Sequence, residues 1–343
     1  MRNLATIQKI ISIEPIENAD SIEKVTVLGW NVVVKKNEFK LGELVVYIEI
    51  DSLLPELDIF EFLRNKKFII KTVRLRGQIS QGICFPLGIL ENFISSSEIN
   101  NLKEGDEVTD IIGITKYEPP LPLNMGGNIK GLFPSFIPKT DETRAQVLPQ
   151  IIERYTGTEC FITEKVDGSS MTIYIKDGEF GVCSRNMEMT KDINNIFWAT
   201  SEKLGLENKL KNLSKILNIE DISVQGELIG NGMQGNKYKI NGNKFLAFNI
   251  FDINSYKYID FKEFFESCEK SSIETVPLLD EKFILNHSIS ELVELSKGNS
   301  KLNSQVKREG IVIRSIKEIT NVEKIGRFSF KSINPEFLLK YNE

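Results

Sequence analysis

The chain has 343 residues, 41% of them hydrophobic and 27% charged, enough for two domains because a single core rarely grows past roughly 250–300 residues. Its single histidine, His287, excludes chemistry built on several imidazoles, such as Ser-His-Asp triads and paired-histidine zinc sites, and leaves lysine, carboxylates and hard metal ions. A formal net charge of −5 argues against a protein that coats nucleic acid without selectivity, although local basic patches can override the average.

From residue 5 to about residue 110 the chain alternates short Val- and Ile-rich runs with turn residues: 5–13, 25–28, 31–34, 44–50, 68–75 and 82–87. This spacing predicts a small antiparallel β-barrel or sandwich. Within it, residues 64–76 carry six basic side chains and no acidic one. If residues 68–75 form a strand, Thr72, Arg74 and Arg76 share one face. The stretch reads either as a charged strand edge that resists pairing or as a groove that tracks phosphates.

Residues 117–138 hold five prolines and the pair Gly126-Gly127, the composition of a linker. The acids Asp141 and Glu142 predict a helix N-terminus there, running toward Tyr155 despite Pro149. Beyond it strands mix with helices, one of them over residues 261–268, where Phe261, Phe264, Phe265 and Cys268 share a face. The expected fold class is α+β overall, with a barrel at 1–116, a linker at 117–138 and an α+β domain at 139–343. Cys84, Cys160, Cys183 and Cys268 show no CxxC spacing, which predicts a reducing, cytoplasmic setting without zinc or disulfides. No apolar run approaches the roughly 18 residues of a membrane span, and residues 1–6 lack the apolar core of a signal peptide, so no membrane role is expected.

Candidate chemistry begins at Thr163-Glu164-Lys165-Val166-Asp167-Gly168-Ser169, a lysine in a polar turn between two strand-like runs. Alone it is a common hairpin, just as Phe248 alone reads as core. The segments that follow change this: Ser184-Arg185-Asn186, Val224-Gln225-Gly226-Glu227, Ala247-Phe248-Asn249, Arg308-Glu309-Gly310 through Arg314, and Phe328-Ser329-Phe330-Lys331. Each places polar residues in a strand-forming run, and isolated charges there must converge on one another or on a ligand to offset their desolvation. His287 sits in a turn and is assigned no role.

In this order the segments resemble motifs I, Ia, III, IIIa, IV and V of the covalent nucleotidyltransferases, the superfamily of polynucleotide ligases and capping enzymes. The resemblance implies a nucleotidyltransferase domain, the ATP-grasp-like adenylation domain of ligases, in which Lys165 carries AMP as a phosphoramidate. It further implies that Glu309 and Asp167 hold Mg2+ or Mn2+. Arg185 would hold ribose or phosphate, Glu227 the ribose hydroxyls, and Lys331 the α-phosphate. Phe248 would stack on the base, Glu164 would sit near the adenine amino group, and Gly168 would complete the nucleotide-binding turn.

Only 12 residues follow Lys331, too few for the additional C-terminal domain of DNA ligases and capping enzymes. With the β-rich module placed first, the chain is similar to Deinococcus-type RNA ligases, in which an OB domain precedes the ligase domain. This implies an ATP-dependent RNA ligase that seals nicks with RNA on the 3′-OH side, in RNA repair, with no obligate protein partner. Arg74 and Arg76 are candidates for gripping the duplex, and Lys139, Thr140 and Arg144 for contacting nucleotide or RNA phosphates. A GTP-dependent capping enzyme and a non-catalytic RNA-binding protein remain the alternatives. One departure stands out: many RNA ligases carry two lysines in motif V, and Ser329 occupies the first position here. Either Arg327 or Lys324 supplies the second cation, or one lysine suffices.

Overall fold

The computed structural model describes residues 3–117 and 129–341, which fall into two compact units. One runs to residue 117 and includes Ala145–Gln150 and residues 335–341; the other takes residues 129–144 and Ile151–Asn334. Half of the expected linker, residues 118–128, lies outside the described residues.

In the first unit the Val- and Ile-rich runs form a five-stranded antiparallel sheet in the order Trp30–Lys35, Ile22–Val27, Ala5–Pro15, Leu44–Ile48, Ile83–Pro86. The strand Ala5–Pro15 serves both halves: its first residues pair with Leu44–Ile48 and its last with Ile22–Val27. Its register shifts between Ile10 and Ser12. Such a bulge bends a strand and tightens its twist, so the sheet curls into a half-barrel around the fully buried Ile7, Ile10, Trp30, Tyr47 and Ile48.

The strand expected over residues 68–75 shortens to Val73–Leu75, paired in a hairpin with Gln78–Ser80. Lys67 and Phe68 adopt φ of 53° and 56°, a left-handed backbone through which no strand continues. Arg76, at φ 47°, lies in the hairpin turn, so the pleat that would align it with Arg74 ends at Leu75.

The second unit holds a seven-stranded antiparallel sheet whose middle is Ser169–Lys176, Ile222–Gly230 and Asn243–Asp252. Helices Ile196–Leu204, Leu206–Leu217 and Phe261–Lys270 pack Phe197, Trp198, Leu210, Leu213 and Phe264 against Met171, Ile173 and Val224 of this sheet. The first helix starts where the Asn195 side chain accepts the N–H groups of Phe197 and Trp198 at 3.0 and 3.3 Å. A five-stranded sheet runs Thr143–Arg144, Ser329–Ile333, Gly310–Ser315, Glu159–Lys165, Leu278–Ile284. A second, smaller cluster joins Val166, Ile229, Tyr238, Leu246, Val276 and Val306, with Phe248 against it.

The helix expected from Asp141 is not formed. Thr143 and Arg144 instead pair in parallel with Phe330 and Lys331, and the helix begins only at Pro149. The acids are drawn to Arg314 and Lys331 rather than to a helix terminus, and proline suits the first helical position because its missing N–H needs no partner there.

Candidate functional site

Lys165 ends the strand Glu159–Lys165 and faces Gly310 across the ladder, which brings Glu309 to its side chain. The Lys165 ammonium donates to both carboxylate oxygens of Glu309 at 2.7 Å each. Glycine is required at two neighbouring positions. A Cβ on Gly310 would stand 2.3 Å from the Ser332 carbonyl oxygen, and one on Gly168 would meet the Leu228 carbonyl oxygen at 2.5 Å and Glu227 Cγ at 2.8 Å. Gly168 thus lets the turn after Lys165 press against the strand that carries Glu227.

Further acids surround the lysine. The Asp167 carboxylate is 2.8 Å from the Lys237 ammonium, and its backbone N–H donates to the Tyr238 hydroxyl at 2.8 Å. Glu227 is half-buried in an otherwise buried strand. Glu164 is buried; one of its carboxylate oxygens accepts the Lys301 N–H at 2.8 Å, and the other has no hydrogen-bond partner among the described residues.

The cations gather on the neighbouring strand and on residues 139–144. Asp141 bridges two of them, with Lys331 Nζ 3.1 Å and Arg185 Nη2 2.9 Å from its carboxylate oxygens. Glu142 accepts from Arg314 Nη2 at 2.8 Å, and the Arg314 guanidinium carbon stands 5.7 Å from the centroid of the Phe248 ring. Arg144 is buried beside Lys331 in the sheet, whereas Lys139 is exposed and donates to Asn186 Oδ1 at 3.3 Å. Lys139, Thr140, Asp141, Glu142 and Ser329 line a cleft of about 910 Å3 that Lys165 does not reach.

The two groups of charges leave opposite marks on two half-buried glutamates. Burial pushes the Glu227 carboxyl up to about 8, with Glu309 and Asp167 adding repulsion and Lys165 and Arg185 giving partial relief. Burial also opposes ionisation of Glu142, but Arg314 and Lys331 outweigh it and hold that carboxyl down at about 2. For Lys165 burial favours the neutral amine, yet attraction to Glu309, Glu227 and Asp167 prevails and holds it protonated above the usual lysine range.

Carboxylate oxygens are the donors that suit Mg2+ or Mn2+. Each carboxylate expected at a metal currently binds a lysine, Glu309 holding Lys165 and Asp167 holding Lys237. Among the described residues no group of three or more His, Cys, Asp or Glu side chains is arranged as a metal site.

Of the residues singled out in the sequence, Lys165, Asp167, Gly168, Glu227 and Glu309 come together, and Asp141 joins Lys331 to Arg185. Phe248 is half-buried, with its ring against Arg314. In the first unit, Arg74 is exposed and donates to the Gly77 carbonyl at 3.0 Å. The sequence reading gave no site role to Asp141, Lys237, Tyr238 or Arg314. Arg314 carried a usable signal as the one charge in the run Ile311-Val312-Ile313-Arg314-Ser315.

Fold and site define a chain with a small curled barrel and an α+β domain whose half-buried lysine sits among carboxylates. An RNA ligase family model matches residues 158–333, and an OB-fold domain model matches residues 4–87. No curated protein sequence matches the chain. Naegleria gruberi RNA ligase bearing a glutamate-to-alanine substitution, solved with AMP and Mn, is 38% identical over 99% of both chains at a TM-score of 0.87. A second such mutant of that enzyme, with ATP and Mn, is 37% identical over 100% of both chains at 0.87. The same ligase with PPi is 38% identical over 100% of this chain and 99% of that one, also at 0.87. The chain belongs to the RNA ligase family. Its N-terminal half-barrel is an OB fold and is followed by an α+β ligase domain, the expected fold class.

Proposed function

We propose that this enzyme uses ATP to join a 3′-OH to a 5′-phosphate in RNA, in three steps. In the first, Lys165 Nζ attacks the α-phosphorus of ATP: a P–N bond forms, the bond to pyrophosphate breaks, and the amine gives up a proton. A 5′-phosphate oxygen of the RNA then displaces Lys165 and takes AMP in a pyrophosphate linkage. Attack by the 3′-OH forms the phosphodiester and releases AMP. The observation that carries this proposal is the half-buried Lys165 ammonium, 2.7 Å from both oxygens of Glu309 and within the field of Glu227 and Asp167. Naegleria ligase structures have been solved with ATP, with AMP and with PPi, the nucleotide and the leaving groups that this scheme requires, which supports the same chemistry here.

Lys165 is a nucleophile only as the neutral amine, so the charge on its carboxylates must be offset before it reacts. Glu309 and Asp167 are the residues that would hold Mg2+ or Mn2+, which supplies that positive charge and shields the α-phosphate from repulsion. Lys331 and Arg185 exchange Asp141 for phosphate oxygens and stabilise the charge that grows on them. Glu227, titrating at about 8, both donates to and accepts from the ribose hydroxyls near neutral pH. A base stacked on Phe248 gains about 1–3 kcal/mol. The spare oxygen of Glu164 accepts from the amino group of adenine, whereas guanine would set a carbonyl oxygen against it, which favours ATP over GTP.

The substrate is a nick with RNA on the 3′-OH side, and the purpose is RNA repair. The OB fold grips the duplex through Arg74 and Arg76, both exposed, and Lys139, Thr140 and Arg144 contact phosphates of nucleotide or RNA. The four free, buried cysteines suit a reducing cytoplasm, and among the described residues no helix is long and apolar enough to cross a membrane. Incubation with α-labelled ATP and Mg2+ or Mn2+ tests the central step. An acid-labile protein–AMP adduct that disappears in Lys165→Ala is expected; wild type without an adduct, or an undiminished one in the variant, overturns it.

A further inference from the structure

Arg314 is 2% exposed, among the most buried cations in the second unit. Two of its guanidinium nitrogens are engaged: Nη2 donates to Glu142 at 2.8 Å and Nε to the Ser329 hydroxyl at 3.2 Å. The third, Nη1, is buried with no hydrogen-bond partner among the described residues. Leaving a donor on a buried cation unsatisfied is costly, and a site that tolerates it is built for a partner that arrives later.

The sheet register says what that partner is. Val312 lies opposite Lys331 and Arg314 opposite Ser329, so Arg314 stands one pleat along from Lys331 on the same face. Glu142 feels both cations. The serine is short: its hydroxyl takes the Nε–H and leaves the space above it to the guanidinium, whose planar fork suits phosphate oxygens. The other candidate cations are committed or distant. Arg327 is held by Glu318 at 2.9 and 2.5 Å and by Asn249 at 2.9 Å, and it stacks 3.7 Å over Tyr258; Lys324 sits in a hairpin turn at φ 67°.

Building on the ligase proposal, we infer that Arg314 is a phosphate-binding residue of this site, the second cation beside Lys331, doing through Nη1 what Ser329 is too short to do. The phosphate comes either from the triphosphate of ATP or from the 5′ end of the RNA, and two reactions separate these sources: adduct formation from labelled ATP, and sealing of RNA supplied already adenylylated. Arg314→Gln should slow one or both at least tenfold while keeping a cooperative melting transition, and Ser329→Lys added to it should recover most of the loss. A loss in adduct formation assigns the phosphate to ATP, and a loss confined to pre-adenylylated RNA assigns it to the RNA end. Because Arg314→Gln strands Glu142, the comparison with wild type is repeated in Glu142→Gln/Arg314→Gln, which removes both members of the buried pair. A folded variant that matches its reference in both reactions, or a loss that Ser329→Lys leaves unrepaired, overturns the assignment. A wild type that forms no adduct and seals nothing sinks the ligase proposal with it.

Discussion

Glu227 and Glu142 are both partly buried glutamates of the second unit, yet one is pushed up to about 8 and the other held down at about 2. The difference is their company. Glu227 shares its surroundings with Glu309 and Asp167, against which Lys165 and Lys237 are set. Glu142 and Asp141 face Lys331, Arg185 and Arg314. The site therefore has an acid-rich side that favours added positive charge and a cation-rich side that favours added negative charge. A nucleoside triphosphate with its metal ion carries both kinds of charge.

The largest expected effect comes from the acid-rich side. Glu309→Ala should cut the rate of adduct formation by about 10²–10³, the usual cost of losing a group that organises charge at the reacting centre, measured by quenched-flow labelling with ATP. An unaffected rate would mean that the closest contact to Lys165 plays no part in its chemistry. On the same side, adduct formation by wild type should accelerate as pH rises from 6 to 9, because Lys165 is held protonated and must lose that proton to attack. A flat profile would show that Lys165 is already neutral in the complex that reacts.

Stability separates the two sides with opposite signs. Glu142 ionises more readily folded than unfolded, so its contribution is present above the ordinary carboxyl value of 4.5 and lost as pH falls toward about 2. Glu142→Gln should destabilise by about 3–5 kcal/mol at pH 7, since it strands Arg314, and the gap should narrow in acid. Glu227 is the reverse: its contribution is present below 4.5 and lost as pH rises through about 8. Glu227→Gln should thus gain stability relative to wild type as pH rises between those limits. Urea melts at pH 3, 5, 7 and 9 measure both, and parallel curves would erase the comparison.

Smaller effects lie at the edges. Asp141→Asn removes the carboxylate that bridges Lys331 and Arg185, so KM for ATP should fall a few-fold with kcat for adduct formation little changed. Smallest for adenylylation is reversal of Arg74 and Arg76 to Glu. Sealing of a nicked duplex should weaken and lose part of its salt dependence, while adduct formation stays as in wild type.

Much of this was legible in the chain because short-range rules sufficed. Alternating Val and Ile foretold the strands of the OB fold, and the charges embedded in apolar runs foretold convergence at Lys165, Glu227 and Glu309. The misreadings came where a long-range contact overrode a local signal. Asp141 and Glu142 look like helix-starting acids until Arg314 and Lys331, some 170 to 190 residues later, claim them. Left-handed turns at Lys67 and Arg76 likewise broke a strand that β-propensity alone would continue.

What the sequence by itself determined was the fold class, the order of the charged segments and the kinds of chemistry open to a chain with one histidine. Residue type and order suffice for that, because periodicity and isolated charges act over a few neighbours. Only the tertiary structure decided which carboxylate holds which cation, that Asp141 bridges Lys331 and Arg185, and that Arg314 stands over Ser329 with an N–H to spare. Those facts depend on strand register and burial, and the strength of a charge pair inside a protein is set by what surrounds it rather than by where its members lie in the chain.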